Sequence, residues 1–204
     1  ATVGDIIRAG KARYWGFSNF RAWKVAEMVH LADQLAVPRP VVSQPYYNAV
    51  NRMPEVEMLP ACGHFGIGAV PYSPLARGVL TAKYTDGKKP PRGSRGSTGD
   101  RRMMLTEYRP ESMAIARKFK ARAEKRGMTA GQFAVNWVLN NRYVSAVVAG
   151  PRTLAQWREY MGALDHGFTA ADEAFVDKLV APGHPSTPGY TDPNHPVIGR
   201  LTRD

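Results

Sequence analysis

The sequence predicts an α/β fold built on a parallel sheet, and three observations carry that prediction. Short apolar or β-branched runs recur four times, each followed by a segment whose apolar residues keep helical spacing. Every strand-to-strand connection is long enough to carry the chain back to the same edge of a sheet, as parallel pairing requires. Each run also ends in a turn rich in Ser, Asn, Pro or Gly.

The first residues place Val3, Ile6 and Ile7 at helical spacing with no capping residue ahead, so the chain is expected to begin inside a helix that Gly10 ends. Residues 13–17 (RYWGF) read as the first strand and lead into Ser18-Asn19. Over residues 20–36, Trp23, Ala26, Val29, Ala32 and Leu35 define the apolar face of a helix closed at Val37-Pro38. Residues 41–44 (VVSQ) form the second strand. The loop PYYNAVNRMP follows, then a short helix over 55–62 that Gly63 stops.

The third unit is the one around which the chemistry gathers. A strand opens at Gly68, Ala69, Val70 and Pro71 and breaks at Tyr72-Ser73-Pro74 into a loop carrying Arg77, Gly78 and Lys83. Small residues let backbone N–H groups approach an anion, Arg and Lys offset its charge, and Tyr72 at the strand end offers a flat face for stacking. This order suits a phosphate-bearing cofactor. A helix is expected over 110–126, with Met113, Ala116, Phe119 and Ala123 on one face. Another is expected over 129–140, opened by the capping box Thr129-x-x-Gln132 and burying Phe133, Val135, Trp137, Val138 and Leu139. Residues 145–149 (SAVVA) are the fourth strand. Gly150-Pro151 then turns into a helix capped by Thr153, and a last helix over 170–180 precedes a Pro/Gly-rich tail over 182–200.

Composition narrows the function classes. The 204 residues are 44% hydrophobic, enough for a real core. The sequence holds no run of about 18 apolar residues and its start lacks a signal-peptide layout, so no membrane span is expected. The single cysteine, Cys62, excludes a disulfide framework and fits a reducing compartment, with the cytoplasm as the default. Nothing near it in sequence activates it, and it reads as a small core residue. The five histidines show no metal-ligand spacing.

The net charge of +11 comes from 28 Lys and Arg against 17 Asp and Glu, which raises nucleic acid as a partner. Much of the excess lies in residues 88–102 (KKPPRGSRGSTGDRR), where no aromatic residue is interleaved for stacking. That segment reads first as a solvated loop; a polyanion patch and a mobile cover over a bound phosphate are the other readings.

Taken together, the strand ends resemble a known family. The sequence GKARYWGFSNF over 10–20, SQPYYN over 43–48, PYSPLARG over 71–78 and GPRTxxQ over 150–156 resemble the carboxyl half of the aldo-keto reductases. The likeness is to the branch that includes bacterial oxidoreductases and β-subunits of voltage-gated potassium channels, and it runs from about Gly10 through Leu164. It implies the carboxyl-terminal half of a (β/α)8 TIM barrel, strands five to eight with their helices. Residues 1–181 would be the partial barrel and 182–204 the tail.

The resemblance also implies NADPH as cofactor and hydride transfer with a small carbonyl substrate. Ser18, Asn19 and Gln44 would hold the nicotinamide carboxamide and Tyr72 would stack on the ring. Ser73, Leu75, Ala76, Gly78 and Lys83 would line the pyrophosphate. Gly150 would allow close approach, Arg152 would meet the 2′-phosphate, Gln156 the adenosine end, and Glu159 would stand near the adenine. Tyr160 departs from the branch, which usually has Asn there.

On the residues alone, Ser18-Asn19 also fit a helix cap and Gln156 fits the third position of a capping box with Thr153. Gln44 suits either a carboxamide ligand or a loop hydrogen bond. The start of the Gly150 helix is by itself a phosphate-binding junction, with free N–H groups and a guanidinium beside them, and an Arg there points to NADPH over NADH.

The family's catalytic Asp, Tyr, Lys and His belong to the amino half of the barrel, so none is expected in this chain and no catalytic residue is assigned. Four parallel strands would leave two unpaired edges and an uncovered face. The sequence is therefore expected to be part of a longer reductase or one half of a barrel, completed by an amino half or by a second copy. A non-catalytic NADP(H)-sensing or interaction module resembling the channel β-subunits is the alternative. The substrate is not legible, since the tail and the absent loops would shape its pocket.

Overall fold

Backbone pairing in the computed structural model, which describes residues 1–198, organises the chain around a small parallel sheet. Strands β1 (Gly16–Phe17), β2 (Val42–Ser43) and β3 (Gly68–Ala69) lie in that order. Gly16 is in register with Val42 and Val42 with Gly68. The strands are shorter than the apolar runs that announced them, but the pairing extends beyond them. Trp15 accepts from the Val41 N–H, and a further parallel bridge joins Tyr46 to Tyr72.

The fourth strand, expected over 145–149, is reduced to two parallel bridges, Ala69 with Val144 and Tyr72 with Val148. The Ser145 N–H donates to Ala69 O and the Val148 N–H to Pro71 O, each at 2.8 Å, so this segment lies along β3 without an uninterrupted ladder. With half-exposed neighbours and no further strand beyond it among the described residues, it pairs only with β3.

Helices α1 (Thr2–Arg8), α2 (Ala22–Gln34), α3 (Met58–Phe65), α4 (Arg101–Thr106), α5 (Pro110–Glu124), α6 (Ala130–Leu139), α7 (Leu154–Gly162) and α8 (Ala170–Asp177) accompany the sheet. Helix α6 starts where its capping box demands, with the Thr129 hydroxyl accepting from Gln132 N–H and the Gln132 side chain accepting from Thr129 N–H. A second box, Thr169 with Asp172, opens α8 and was not anticipated because Asp replaces the usual Glu or Gln. Helix α4 overlaps the segment read as a solvated loop only at Arg101 and Arg102 and otherwise lies between it and α5, where no helix was expected. Its N-cap is Asp100, which accepts from Met103 N–H, and Met103 and Thr106 are buried under it.

Two apolar clusters result. Phe17, Val25, Val29, Met58, Cys62 and Ile67 join one face of the sheet to α2 and α3. Cys62 is thus the core residue its surroundings suggested, and burial pushes its thiol pKa up. The larger cluster centres on α5 and α6, where Met113, Ala116, Phe119, Ala123, Phe133, Trp137 and Val138 are buried as the periodicity predicts. The α2 face is rotated from expectation: Val25, Val29 and Ala32 are buried while Trp23 and Leu35 are exposed. Strict three-residue spacing drifts around a helix of 3.6 residues per turn, and the buried stripe followed the true period.

The opposite face of the sheet is open. Gly16 is exposed and Val42 and Gly68 are only partly covered, whereas Phe17, Ser43 and Ala69 are buried. Gly16 is required here by contact, since a Cβ would stand 2.3 Å from Val42 O. Among its described residues the tail beyond α8 carries no helix or strand yet is strapped down. Pro185 bridges Asn51, Ser186 N–H donates to Val50 O, and the Arg109 guanidinium lies 3.8 Å above the Tyr190 ring. The tail expected over 182–204 falls partly on residues 199–204, which lie outside the described residues. Among the described residues no helix is long and apolar enough to cross a membrane, and no cluster of metal-ligating side chains occurs.

Candidate functional site

The loop after β3 is built from left-handed residues. Ser73, Ala76, Arg77, Gly78 and Ala82 all have positive φ, and the backbone folds into two short helical turns within Ala76–Thr81 broken by a kink at Arg77-Gly78. Ala76, Val79 and Leu80 are fully buried beneath it, so the loop is clamped on its inner side. The Thr81 hydroxyl donates to Gly78 O at 2.8 Å and closes the turn. Gly78 must remain glycine, because a Cβ would meet Lys83 Nζ at 2.9 Å and its φ is 96°.

Above this loop lies a cavity of about 460 Å³, bounded on its other side by the start of α7. Of the residues singled out in the sequence, Tyr72, Ser73, Leu75, Gly78, Lys83, Gly150, Arg152, Gln156 and Glu159 all line it. Ala76 lies beneath it, fully buried. The wall is strongly cationic: Arg77, Lys83, Arg95 and Arg152 face a single carboxylate, Glu159. That carboxylate is itself engaged, accepting from the Thr129 hydroxyl at 2.7 Å. Such a cavity favours an anionic guest, and the α7 N-terminus contributes its own positive end.

The α7 junction is ordered by Gln156 in a way the sequence only half showed. Thr153 caps the helix by accepting from Gln156 N–H, but the Gln156 side chain reaches past Thr153 and accepts from Arg152 N–H at 2.7 Å. The reciprocal capping box is therefore replaced by a pin one residue earlier. It fixes the backbone of Arg152, whose guanidinium donates to Gly93 O at 2.8 Å.

Gly93 belongs to the basic segment, and the structure divides that segment. Lys88, Lys89, Arg92 and Arg101 are exposed as a solvated loop would have them, while Ser94 and Gly96 are buried. The Gly96 N–H donates to the Tyr84 hydroxyl, and Arg95 is thereby brought to the cavity wall. Arg77, Thr81, Arg95 and Tyr160 are lining residues that the sequence reading did not assign to the site. Arg77 was visible as a loop cation, but Arg95 was one of many in a charged run and nothing local marked it. Burial pushes the Tyr160 hydroxyl pKa up, so it stays protonated as a neutral donor.

Ser18, Asn19 and Gln44 lie outside this cavity, at the ends of the neighbouring strands, and Tyr72 connects the two groups. Asn19 Nδ2 donates to the Tyr72 hydroxyl at 3.3 Å, and Asn19 Oδ1 accepts from Tyr46 N–H at 3.1 Å. The Ser18 hydroxyl donates to Gln44 O at 2.7 Å, which ties β1 to β2, and the Gln44 side chain is exposed. On its inner side Tyr72 packs against Tyr46, with ring centroids 5.5 Å apart and 30° between planes. Asn19 and Tyr46 also border a second, smaller cavity of about 160 Å³ reached by Asp192 and His195 of the tail.

Comparison with known proteins places this arrangement in a family. The model for the aldo/keto reductase family matches residues 1–181, and the chain belongs to that family. A Schizosaccharomyces pombe protein named as a voltage-gated potassium channel subunit beta is 35% identical over 179 residues, covering 86% of this chain and 49% of the relative. An Arabidopsis thaliana protein named in the same way is 37% identical over 169 residues, 78% of this chain and 49% of the relative. The L-glyceraldehyde 3-phosphate reductase of Escherichia coli (strain K12) is 30% identical over 191 residues, 90% of this chain and 54% of the relative. The chain spans about half the length of the curated relatives it matches.

Proposed function

We propose that this chain is the carboxyl-terminal, NADPH-binding half of an aldo-keto reductase, corresponding to strands five to eight of a (β/α)8 barrel. One observation carries the reading: a cationic cavity joins a Gly-containing loop after one parallel strand to an Arg-bearing helix N-terminus after the next. Arg152 at the α7 start holds the 2′-phosphate. Ser73, Leu75, Gly78 and Lys83 border the pyrophosphate, with Ala76 beneath the loop, and Gly150, Gln156 and Glu159 bound the adenosine end. Tyr72, backed by Tyr46, presents its free side to the nicotinamide, and Ser18, Asn19 and Gln44 at the adjoining strand ends receive the carboxamide.

When bound, NADPH supplies the hydride for carbonyl reduction. The chain's own part is to bind and orient. Tyr72 and the amides fix which ring face is presented, and the loop and Arg152 anchor the remote phosphates, whose binding energy can be used for that orientation. The proton for the carbonyl oxygen comes from the amino half, which carries the family's catalytic Asp, Tyr, Lys and His. Residues 1–181 act as the half barrel, and residues 182–198 strap its strand-end loops beside the small carbonyl substrate. A reducing compartment, the cytoplasm, suits the buried free thiol.

The partner is an amino half of the barrel or a second copy of this chain. Along α7 and the turn after it, Leu154, Trp157, Met161 and Leu164 form one stripe at helical spacing, with Leu154 61% and Leu164 63% exposed. At the opposite edge, Tyr14, Trp23, Leu31 and Leu35 are also exposed. Two apolar margins flanking an open sheet face fit closure by a second half barrel, either an amino half or a second copy.

A second reading is a non-catalytic NADP(H)-sensing module, favoured by the relatives named as channel β-subunits. Titration of the chain with NADPH, followed by nicotinamide fluorescence, tests both. Co-expression with an amino half and assay of 4-nitrobenzaldehyde at 340 nm separates them. Turnover selects the reductase; binding without turnover selects the sensor; absence of saturable NADPH binding in either form refutes both.

A further inference from the structure

The cavity loop adopts a backbone that its own residues disfavour. Ser73, Ala76, Arg77 and Ala82 each sit in the left-handed region, which residues other than glycine disfavour. Such a conformation persists only where surrounding contacts over-determine it. The apolar underside supplies part of the hold, since Ala76, Val79 and Leu80 are fully buried. Arg77 is different. It is polar, it lies at the kink, and its side chain is 14% exposed.

What faces Arg77 is Glu107, the residue just after α4, whose side chain is 0% exposed. Its Oε1 stands 3.1 Å from Arg77 Nε as an ion pair, and neither atom has an aligned hydrogen-bond partner among the described residues. The other oxygen, Oε2, accepts from the Thr106 hydroxyl. Burial pushes the Glu107 pKa up, opposed by the Thr106 hydrogen bond, the Arg77 and Arg102 charges and the nearby Tyr46 hydroxyl. A carboxylate this deep is costly unless it is paired and hydrogen-bonded, and Arg77 and the Thr106 hydroxyl are what offset it here. With Nε turned to Glu107, the two terminal nitrogens of Arg77 remain for the cavity that it lines.

The element that delivers Glu107 is itself anchored. Arg102 of α4 pairs with Asp192 of the tail, Nη1 to Oδ1 at 2.7 Å, and the Tyr190 hydroxyl donates to Leu105 O at 2.9 Å. Thus a carboxylate just beyond the basic segment, at the end of a helix held by the tail, reaches under a loop 25 to 34 residues earlier in the sequence.

We propose that Glu107 is a positioning residue for the phosphate-binding loop: it fixes Arg77 at the kink so that the guanidinium and loop backbone meet the pyrophosphate. This inference rests on the NADPH reading of the cavity, and its test is chosen to separate the two. The variants are Glu107→Gln, Arg77→Met and the double variant, with Glu107→Asp as the conservative control.

The first readout is amide hydrogen exchange in the free protein. Glu107→Gln should accelerate exchange over residues 73–82 at least tenfold and leave α6 unchanged. An unaltered loop, or equal acceleration throughout, overturns the proposal. The second is affinity for NADPH and for adenosine 2′,5′-bisphosphate, which lacks the pyrophosphate bridge. NADPH binding should weaken about tenfold in either single variant and no further in the double, with the bisphosphate unchanged and Glu107→Asp partly restored. Equal loss for both ligands, or additive loss in the double variant, overturns it. If the wild-type chain fails to bind NADPH, the cofactor reading falls, and the exchange result alone still decides whether Glu107 positions the loop.

Discussion

If the proposed NADPH site is right, replacing Arg152 with Ala should leave a site that no longer distinguishes NADPH from NADH. A bidentate guanidinium–phosphate contact contributes about 1.5–3 kcal/mol. Against this, Arg152 must leave Gly93 O, to which its guanidinium donates at 2.8 Å, a bond with a net value of about 1 kcal/mol. Because Arg152 is exposed before binding, no further large desolvation cost arises. The net selectivity is about 0.5–2 kcal/mol, a factor of about 2 to 30 in affinity.

The pin from Gln156 acts on the Arg152 backbone N–H and survives the substitution, so the α7 start should keep its shape. Fluorescence titration with both dinucleotides at two salt concentrations measures the effect. NADPH affinity should fall by that factor and lose part of its salt dependence, while NADH affinity stays put. Arg152→Lys should give an intermediate value, since it keeps the charge but not the planar fork. An equal loss for both dinucleotides would refute the assignment of Arg152 to the 2′-phosphate, and so would no loss for either.

Other perturbations probe the scaffold and the partner. Asp172 is a fully buried carboxylate at the head of α8, bound by Arg122 Nε at 2.8 Å and near Arg126 at 3.3 Å; Asp172→Asn should cost about 3 kcal/mol and lower the melting temperature by roughly 6–12 °C. Burial raises its pKa, but the Thr169 hydroxyl and backbone N–H and the two guanidinium groups outweigh it and hold the carboxyl below its ordinary value. Its stabilisation is therefore complete above about pH 4 and lost as pH falls through the depressed value, and the melting curve of Asp172→Asn should be flatter across that acid range. Gly16→Ala puts a methyl against Val42 O and should cost about 3 kcal/mol, read as a lower urea midpoint; an unchanged midpoint would show that β1 and β2 do not pair as described. The double variant Leu154→Asp/Trp157→Asp should leave the chain's own melting within about 1–2 °C, as exposed substitutions do, yet abolish co-purification with a co-expressed amino half; retained pairing would remove α7 from the interface.

Local chemistry wrote much of the fold into the sequence. Helix α6 was legible to the residue because Thr129 and Gln132 satisfy each other's backbone N–H groups within one turn, and apolar spacing then marks its buried face. The α5 face was legible for the same reason. So were the ends of the parallel strands, where Tyr72, Ser73, Gly150 and Arg152 stand in turn chemistry that interrupts apolar runs. What failed was also local. Helix α4 was missed because its six residues are too few to show a periodic apolar stripe, and the Asp100 cap and the burial of Met103 give it order.

Tertiary structure decided the rest, because the deciding interactions join residues with no sequence relationship. Gln156 fitted a capping box by spacing, but the path of the chain through Pro151 brought the Arg152 N–H within its reach and moved the bond. Arg95 entered the cavity wall only because Tyr84 captures Gly96. Glu107 reads in sequence as an unremarkable acid after a Thr; a buried ion pair with Arg77, thirty positions away, is set by packing and leaves no periodic trace. The sequence by itself determined the class of fold, the family and most of the residue types that line the larger cavity, since these rest on short-range spacing. Only the folded chain decided which cations share one cavity, which carboxylate holds the loop, and which apolar margins are left open, since these depend on long-range burial.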